Sequence, residues 1–116
     1  MNYKLREDLL STALYGASNY WYLLPDLAIH IAGTQGGFIE ARVIEAVRKG
    51  VEIPVLDLED PSEKLGEISL FNIKRGEQTL KEKNPDVYKR ITTDNWDGFD
   101  ADIWFQYVVM NEIIFG

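Results

Sequence analysis

The sequence predicts an α+β fold, predominantly helical, in which about five helices pack with one short β-hairpin around an apolar C-terminal helix. Three observations carry that prediction. Apolar residues recur at the helical period through most of the chain, one stretch alternates apolar with polar residues, and the last segment is apolar on nearly every side. At 116 residues the chain has the length of one domain, residues 1–116, and its six Tyr, five Phe and three Trp supply heavy anchors for one core.

Leu5, Leu9, Ala13 and Gly16 follow the helical spacing while Lys4, Arg6, Glu7 and Asp8 lie toward the other side, so residues 4–16 read as an amphipathic helix that Gly16 ends. Pro25 breaks the apolar run that follows and biases Leu24 away from the helical region. A short helical turn from Pro25 or Asp26 would then carry Leu27, Ile29 and Ile31. The three glycines of Gly33-Thr34-Gln35-Gly36-Gly37 mark a loop within the domain. Beyond it, Ile39, Val43, Ala46 and Val47 form a core-facing stripe, with Glu40, Arg42, Glu45, Arg48 and Lys49 solvated and Gly50 as the stop.

Val51-Glu52-Ile53-Pro54-Val55 suits a strand, confined by Pro54 to an edge or an outward position because proline has no N–H for the ladder. A polar turn follows, and Leu65–Ile68 returns as the second strand of a hairpin. Ser69 is a fitting N-cap for a helix bearing Leu70, Ile73 and Leu80 that ends near Asn84-Pro85. Pro85 opens a further short helix with Val87, Tyr88 and Ile91 inward. Thr92–Phe99 is a polar connection. The last helix, about Asp100 to Phe115, is apolar all round, as befits the centre of a fold or a subunit interface.

Composition narrows the chemistry. With no cysteine, disulfides, thiolate catalysis, iron–sulfur clusters and the usual zinc frameworks are excluded, and no cofactor is expected. A formal charge of −7 disfavours binding to a nucleic-acid backbone. No stretch reaches the roughly 18–20 apolar residues of a membrane span, and the opening residues carry no signal-peptide pattern, so a cytoplasmic location is expected. His30 has neither a marked nucleophile nor a second histidine beside it, and the Gly33–Gly37 loop lacks the Lys and Ser/Thr of a P-loop. Neither a catalytic nor a metal-binding constellation emerges, and the chain reads as a non-enzyme.

Two polar-aromatic regions could bind. In Tyr15-Gly16-Ala17-Ser18-Asn19-Tyr20-Trp21-Tyr22 the rings could form a stacking platform for a nucleobase, with Ser18 and Asn19 reading polar edges; the alternative is that Trp21 and some of the tyrosines are core. On the last helix, Gln106, Asn111 and Glu112 either find partners such as Arg42 or Arg75 or line a pocket or interface. The candidate ligand-binding residues are therefore Ser18, Asn19, Tyr20, Trp21 and Gln106. The acidic stretch Asp94–Asp102 fails the EF-hand spacing and reads as a solvated turn followed by charges that complement the helix dipole.

Leu10-Ser11-Thr12-Ala13-Leu14-Tyr15-Gly16-Ala17-Ser18-Asn19-Tyr20-Trp21-Tyr22, Glu67–Gly76 and Asp100–Gln106 running on to Asn111–Gly116 resemble, in this order, a group of small uncharacterised proteins encoded by tailed bacteriophages and prophages. Ala17 stands where such proteins tend to carry a second glycine, and Phe115 where they tend to carry tyrosine. The resemblance implies a setting in a bacterial host cell. The function expected on all these grounds is that of an accessory binding protein without catalytic activity, sequestering a nucleotide-like small molecule or blocking a host defence factor. The alternative is a structural or protein-interaction module, either a homo-oligomer joined through the C-terminal helix or an acidic decoy of a basic host protein.

Overall fold

The computed structural model describes residues 1–35 and 37–116; Gly36, in the glycine-rich loop, lies outside the described residues. Helix α1 spans Tyr3–Thr12 and begins where the Asn2 side chain accepts the Leu5 amide at 2.8 Å. The expected helix to Gly16 does not run uniformly: Ala13–Ala17 widens into a π-helical turn, closed by Ser18 N–H donating to the Ala13 carbonyl at 3.1 Å. That extra residue per turn places the Ser18 side chain in the interior.

Tyr22–Leu23 forms strand β1, which has no counterpart in the sequence reading. No regular helix forms over Pro25–Ile31, but the expected single turn does: the Asp26 carboxylate accepts the Ala28 amide at 3.0 Å and Ile31 N–H donates to the Leu27 carbonyl at 3.0 Å, with Ile31 buried and Ile29 exposed. Helix α2, Ile39–Arg48, buries Val43, Ile44, Ala46 and Val47, and also Glu40, which the periodicity had assigned to solvent. Its last turn docks on α1, with the Arg48 guanidinium 4.0 Å above the Tyr3 ring.

Strands β2 (Ile53–Asp57) and β3 (Lys64–Ile68) make the antiparallel hairpin, with Ile53 opposite Ile68 and an irregularity between Val55 and Leu56. Because β1 pairs with Leu56 and Asp57, β2 is the central strand of the order β1-β2-β3, and the edge expected for Pro54 is only local: β1 does not extend as far as Pro54. Helix α3 (Leu70–Lys83) starts at Ser69, whose hydroxyl accepts the Asn72 amide at 3.0 Å, and α4 (Pro85–Thr92) starts at its proline.

Helix α5, Gly98–Met110, is capped by Asp97 and is buried continuously from Asp100 to Val109. Two glycines let it lie at the centre. A Cβ on Gly66 of β3 would stand 2.0 Å from the Val109 carbonyl oxygen, and one on Gly76 of α3 would stand 2.5 Å from that of Tyr107, so both elements touch α5 backbone to backbone. The helix stops at Met110 rather than Phe115, because Asn111 adopts a left-handed conformation (φ 60°) and its side chain accepts the Thr79 hydroxyl at 2.7 Å. The apolar side chains of α5 are thus covered within the chain up to Val109, whereas Ile113 and Ile114 beyond its end are exposed. No helix among the described residues is long and apolar enough to cross a membrane.

Candidate functional site

The turn after the π-helical segment and the first half of α5 meet at a carboxylate. Asp102, 5% exposed, receives Ser18 Oγ at 2.6 Å and Trp21 Nε1 at 2.8 Å on Oδ1, and the Tyr20 hydroxyl at 2.5 Å and Gln106 Nε2 at 3.2 Å on Oδ2. All four partners present an O–H or N–H, the arrangement that a charged carboxylate requires when buried. Four of the five candidate binding residues therefore surround one acid. The fifth, Asn19, points elsewhere: its Oδ1 accepts the Tyr22 hydroxyl at 3.3 Å, and it lines a separate depression with Leu23, Leu24 and Leu58.

Gln106 lies one helical turn beyond Asp102 and works in both directions. Its Nε2 also donates to the Phe115 carbonyl at 2.9 Å, and its Oε1 accepts the amides of Ile114 at 3.0 Å and Phe115 at 2.9 Å. One buried amide thereby mimics a neighbouring strand and folds the segment after α5 back along the helix. Phe115 then stacks on Trp21, centroids 5.3 Å apart and planes 11° off parallel, while Phe105 meets Trp21 at 5.4 Å.

Between these parts opens a cleft of about 450 Å³, lined by Ala17, Tyr20, Gly98, Phe99, Asp102, Ile103, Ile113, Phe115 and Gly116. Its walls are apolar and aromatic, with the Asp102–Tyr20 pair as the main polar feature, and Tyr20 and Phe99 are half or more exposed at its rim. Burial, then the hydrogen bond to Asp102, pushes the Tyr20 phenol up to about 12. Tyr22 is likewise pushed up to about 12, by burial and then by the Glu40 charge.

Several expectations change. Asp100 lies in the first turn of α5, as expected, but neither it nor Asp102 is a solvated complement to the dipole: both are buried, and Asp100 is held by Arg90 through two bonds of 2.9 and 2.8 Å. Arg42 and Arg75 do not pair with the polar groups of α5; Arg42 donates to Thr34 Oγ1, and Arg75 lies 5.8 Å from the Phe71 ring. Glu112 is exposed. The long-range ion pair to the core is Arg6–Glu77, which Trp104 Nε1 joins at 3.1 Å. His30 sits 3.3 Å from the Asp26 carbonyl, and no group of three metal-ligating side chains occurs among the described residues.

Asp102, Phe99 and Phe115 complete the site and were missed as members of it. For Asp102 a signal existed, namely an acid and an amide four residues apart on a helix otherwise apolar all round, a spacing that puts them on one face. Compared with family models, curated proteins and solved structures, the chain matches none.

Proposed function

We propose that the protein is a non-catalytic binding protein that holds a compact, ring-bearing small molecule, up to nucleoside size and without phosphates, in the cleft between the Ala17–Tyr20 turn, the start of α5 and the returning Ile113–Phe115 segment. The observation that carries it is the cleft itself. About 450 Å³ lies within the usual range of small-molecule sites, and apolar walls with a few fixed polar groups are their usual construction. The walls are pre-organised, because Asp102 and Gln106 tie the three contributing segments together before any ligand arrives.

No lining residue is Lys, Arg or His, so a phosphate would meet no counter-charge there. That turns a nucleotide-like ligand into a base or nucleoside. The chemistry is that of a binder rather than a hydrolase: each Asp102 oxygen already accepts two bonds, and Ser18, whose hydroxyl donates to that carboxylate, is fully buried and is not among the residues lining the cleft. Resemblance to phage-encoded proteins supplies the setting, withholding such a molecule from a host factor.

Calorimetry and ligand-observed NMR against paired bases, nucleosides and nucleotides test the proposal. Uncharged or cationic members should bind, their phosphorylated forms should bind more weakly, and Ile113→Trp, which fills the cleft from a half-exposed position, should abolish binding. Absence of binding by the whole panel at millimolar concentration would remove it.

A further inference from the structure

Three buried carboxylates lie at the centre of this fold, and they are treated differently. Glu77 on α3 is held by Arg6 through bonds of 3.0 and 2.7 Å, and Asp100 on α5 is held by Arg90 at 2.9 and 2.8 Å. Asp102, equally buried, is absent from the ion pairs of the described residues; its four partners are neutral donors. Neutral donors satisfy the lone pairs of a carboxylate but leave its charge in place. A fourth buried acid, Glu40, also lacks an ion pair in that set, but the groove it lines is shared with Lys4. The Asp102 cleft contains no basic residue at all.

The same cleft is lined by three aromatic rings, those of Tyr20, Phe99 and Phe115. An aromatic face attracts a cation through its quadrupole, and more strongly where water is displaced. A carboxylate focusing negative potential into an apolar recess adds to the same preference. A hard metal ion is a poor fit, since calcium and magnesium need six or more oxygens and the lining offers one carboxylate and one phenol. An organic cation with an apolar body matches every surface present.

Resting on the ligand-binding role proposed for this cleft, we propose that its ligand is a small organic cation, a methylated ammonium or protonated amine on an apolar or aromatic frame. Its charge sits over the rings on the Asp102 side, and its frame lies against Ile103 and Ile113. The anchored acid selects charge, and the rings select methylated or ring-bearing ammonium over the strongly hydrated ammonium of a free lysine.

The test compares choline with its uncharged carbon isostere 3,3-dimethylbutan-1-ol, and adds benzyltrimethylammonium as a larger cation, following the indole N–H signal of Trp21 by NMR at low and high salt. The cations should bind at least tenfold more tightly than the alcohol, and the preference should shrink as salt rises. Phe99→Leu, at a rim position 64% exposed and outside the hydrogen-bond network, should weaken the cations several-fold more than the alcohol. Asp102→Asn should bring the cation-to-alcohol ratio close to one. Equal or tighter binding of the alcohol overturns the cation assignment while leaving ligand binding in the cleft intact. If neither cation nor alcohol binds, and the panel of bases and nucleosides is silent as well, ligand binding in the cleft fails with it.

Discussion

Replacing Gln106 by methionine tests whether a single buried amide holds the segment that closes the cleft. Methionine keeps nearly the same length and volume, so packing against Trp21 and Phe105 changes little while the amide chemistry is lost. Gln106 makes three bonds of 2.9–3.0 Å to the backbone of Ile114 and Phe115, and a longer one to Asp102. At about 1 kcal/mol net for each ordinary hydrogen bond, the three good ones amount to about 3 kcal/mol. Two routes are open to the variant. If the segment stays in place, its amides and the Asp102 oxygen lose partners and global stability falls by about 3 kcal/mol. If it detaches, water satisfies the freed groups and the cost is instead the loss of Phe115 packing on Trp21, about 2 kcal/mol for one large side chain. Either way the loss is a sizeable part of the 5–15 kcal/mol typical of a domain. Urea unfolding reads the sum, and NMR contacts between the Phe115 and Trp21 rings separate the routes, since only detachment abolishes them. A midpoint shift equivalent to less than about 0.5 kcal/mol, with those ring contacts intact, would refute the role given to Gln106.

Gly76→Ala and Gly66→Ala should each destabilise by at least the 1–3 kcal/mol of an overpacked core, the second more than the first because its Cβ would meet the Val109 carbonyl at 2.0 Å; Gly16→Ala, with open space around it, should stay within about 0.5 kcal/mol in the same thermal melts. Arg6→Met should cost about 3–5 kcal/mol by leaving Glu77 charged and buried, and adding Glu77→Gln should recover part of it; a double-mutant cycle with no coupling would count against a buried ion pair. Tyr20 and Tyr22 hold their protons to about pH 12 when folded, whereas an unfolded phenol releases its proton near 10. The unfolded chain therefore loses protons first, and stability should fall as pH rises from about 10 to about 12. Absorbance titration at 295 nm should show a late phase that shrinks in Tyr20→Phe; titration of all phenols together near pH 10 would contradict it.

What the sequence reveals of this fold follows from the range of the forces involved. Helices α2, α3 and α4 are legible because a local stripe and a local cap specify each one: Val43 with Val47 on α2, Ser69 ahead of α3, Pro85 at the start of α4. Strand β1 is not, because two residues have no alternation of their own and Tyr22–Leu23 becomes a strand only when Leu56 and Asp57 are beside it. The early end of α5 has the same character. Ile113, Ile114 and Phe115 continue a helical apolar pattern, and only Thr79 and Gln106, both reached through tertiary packing, hold the chain off that course.

The site divides along the same line. Ser18, Tyr20, Trp21 and Gln106 stand out singly, as polar or aromatic groups in company where burial demands a partner, but nothing local says that the partner is common to all four. Asn19 shares every local property of Ser18 and yet faces another depression, because consecutive residues in the turn after the π-helical segment diverge. Asp102 is hidden for the opposite reason: the dipole already accounts for an acid near a helix N-terminus, so its local sequence carries no sign of a second role. The π-helical turn, by bringing Ser18 inward, and the glycine contacts, by drawing α5 into the centre, are what convert a dipole-complementing acid into a buried one. Substitutions that normalise that turn, such as deletion of one residue from Ala13–Ala17, should therefore disturb Asp102 before they disturb the sheet. Exposure of the Trp21 indole N–H, with the hairpin amides still protected, would be the sign of it.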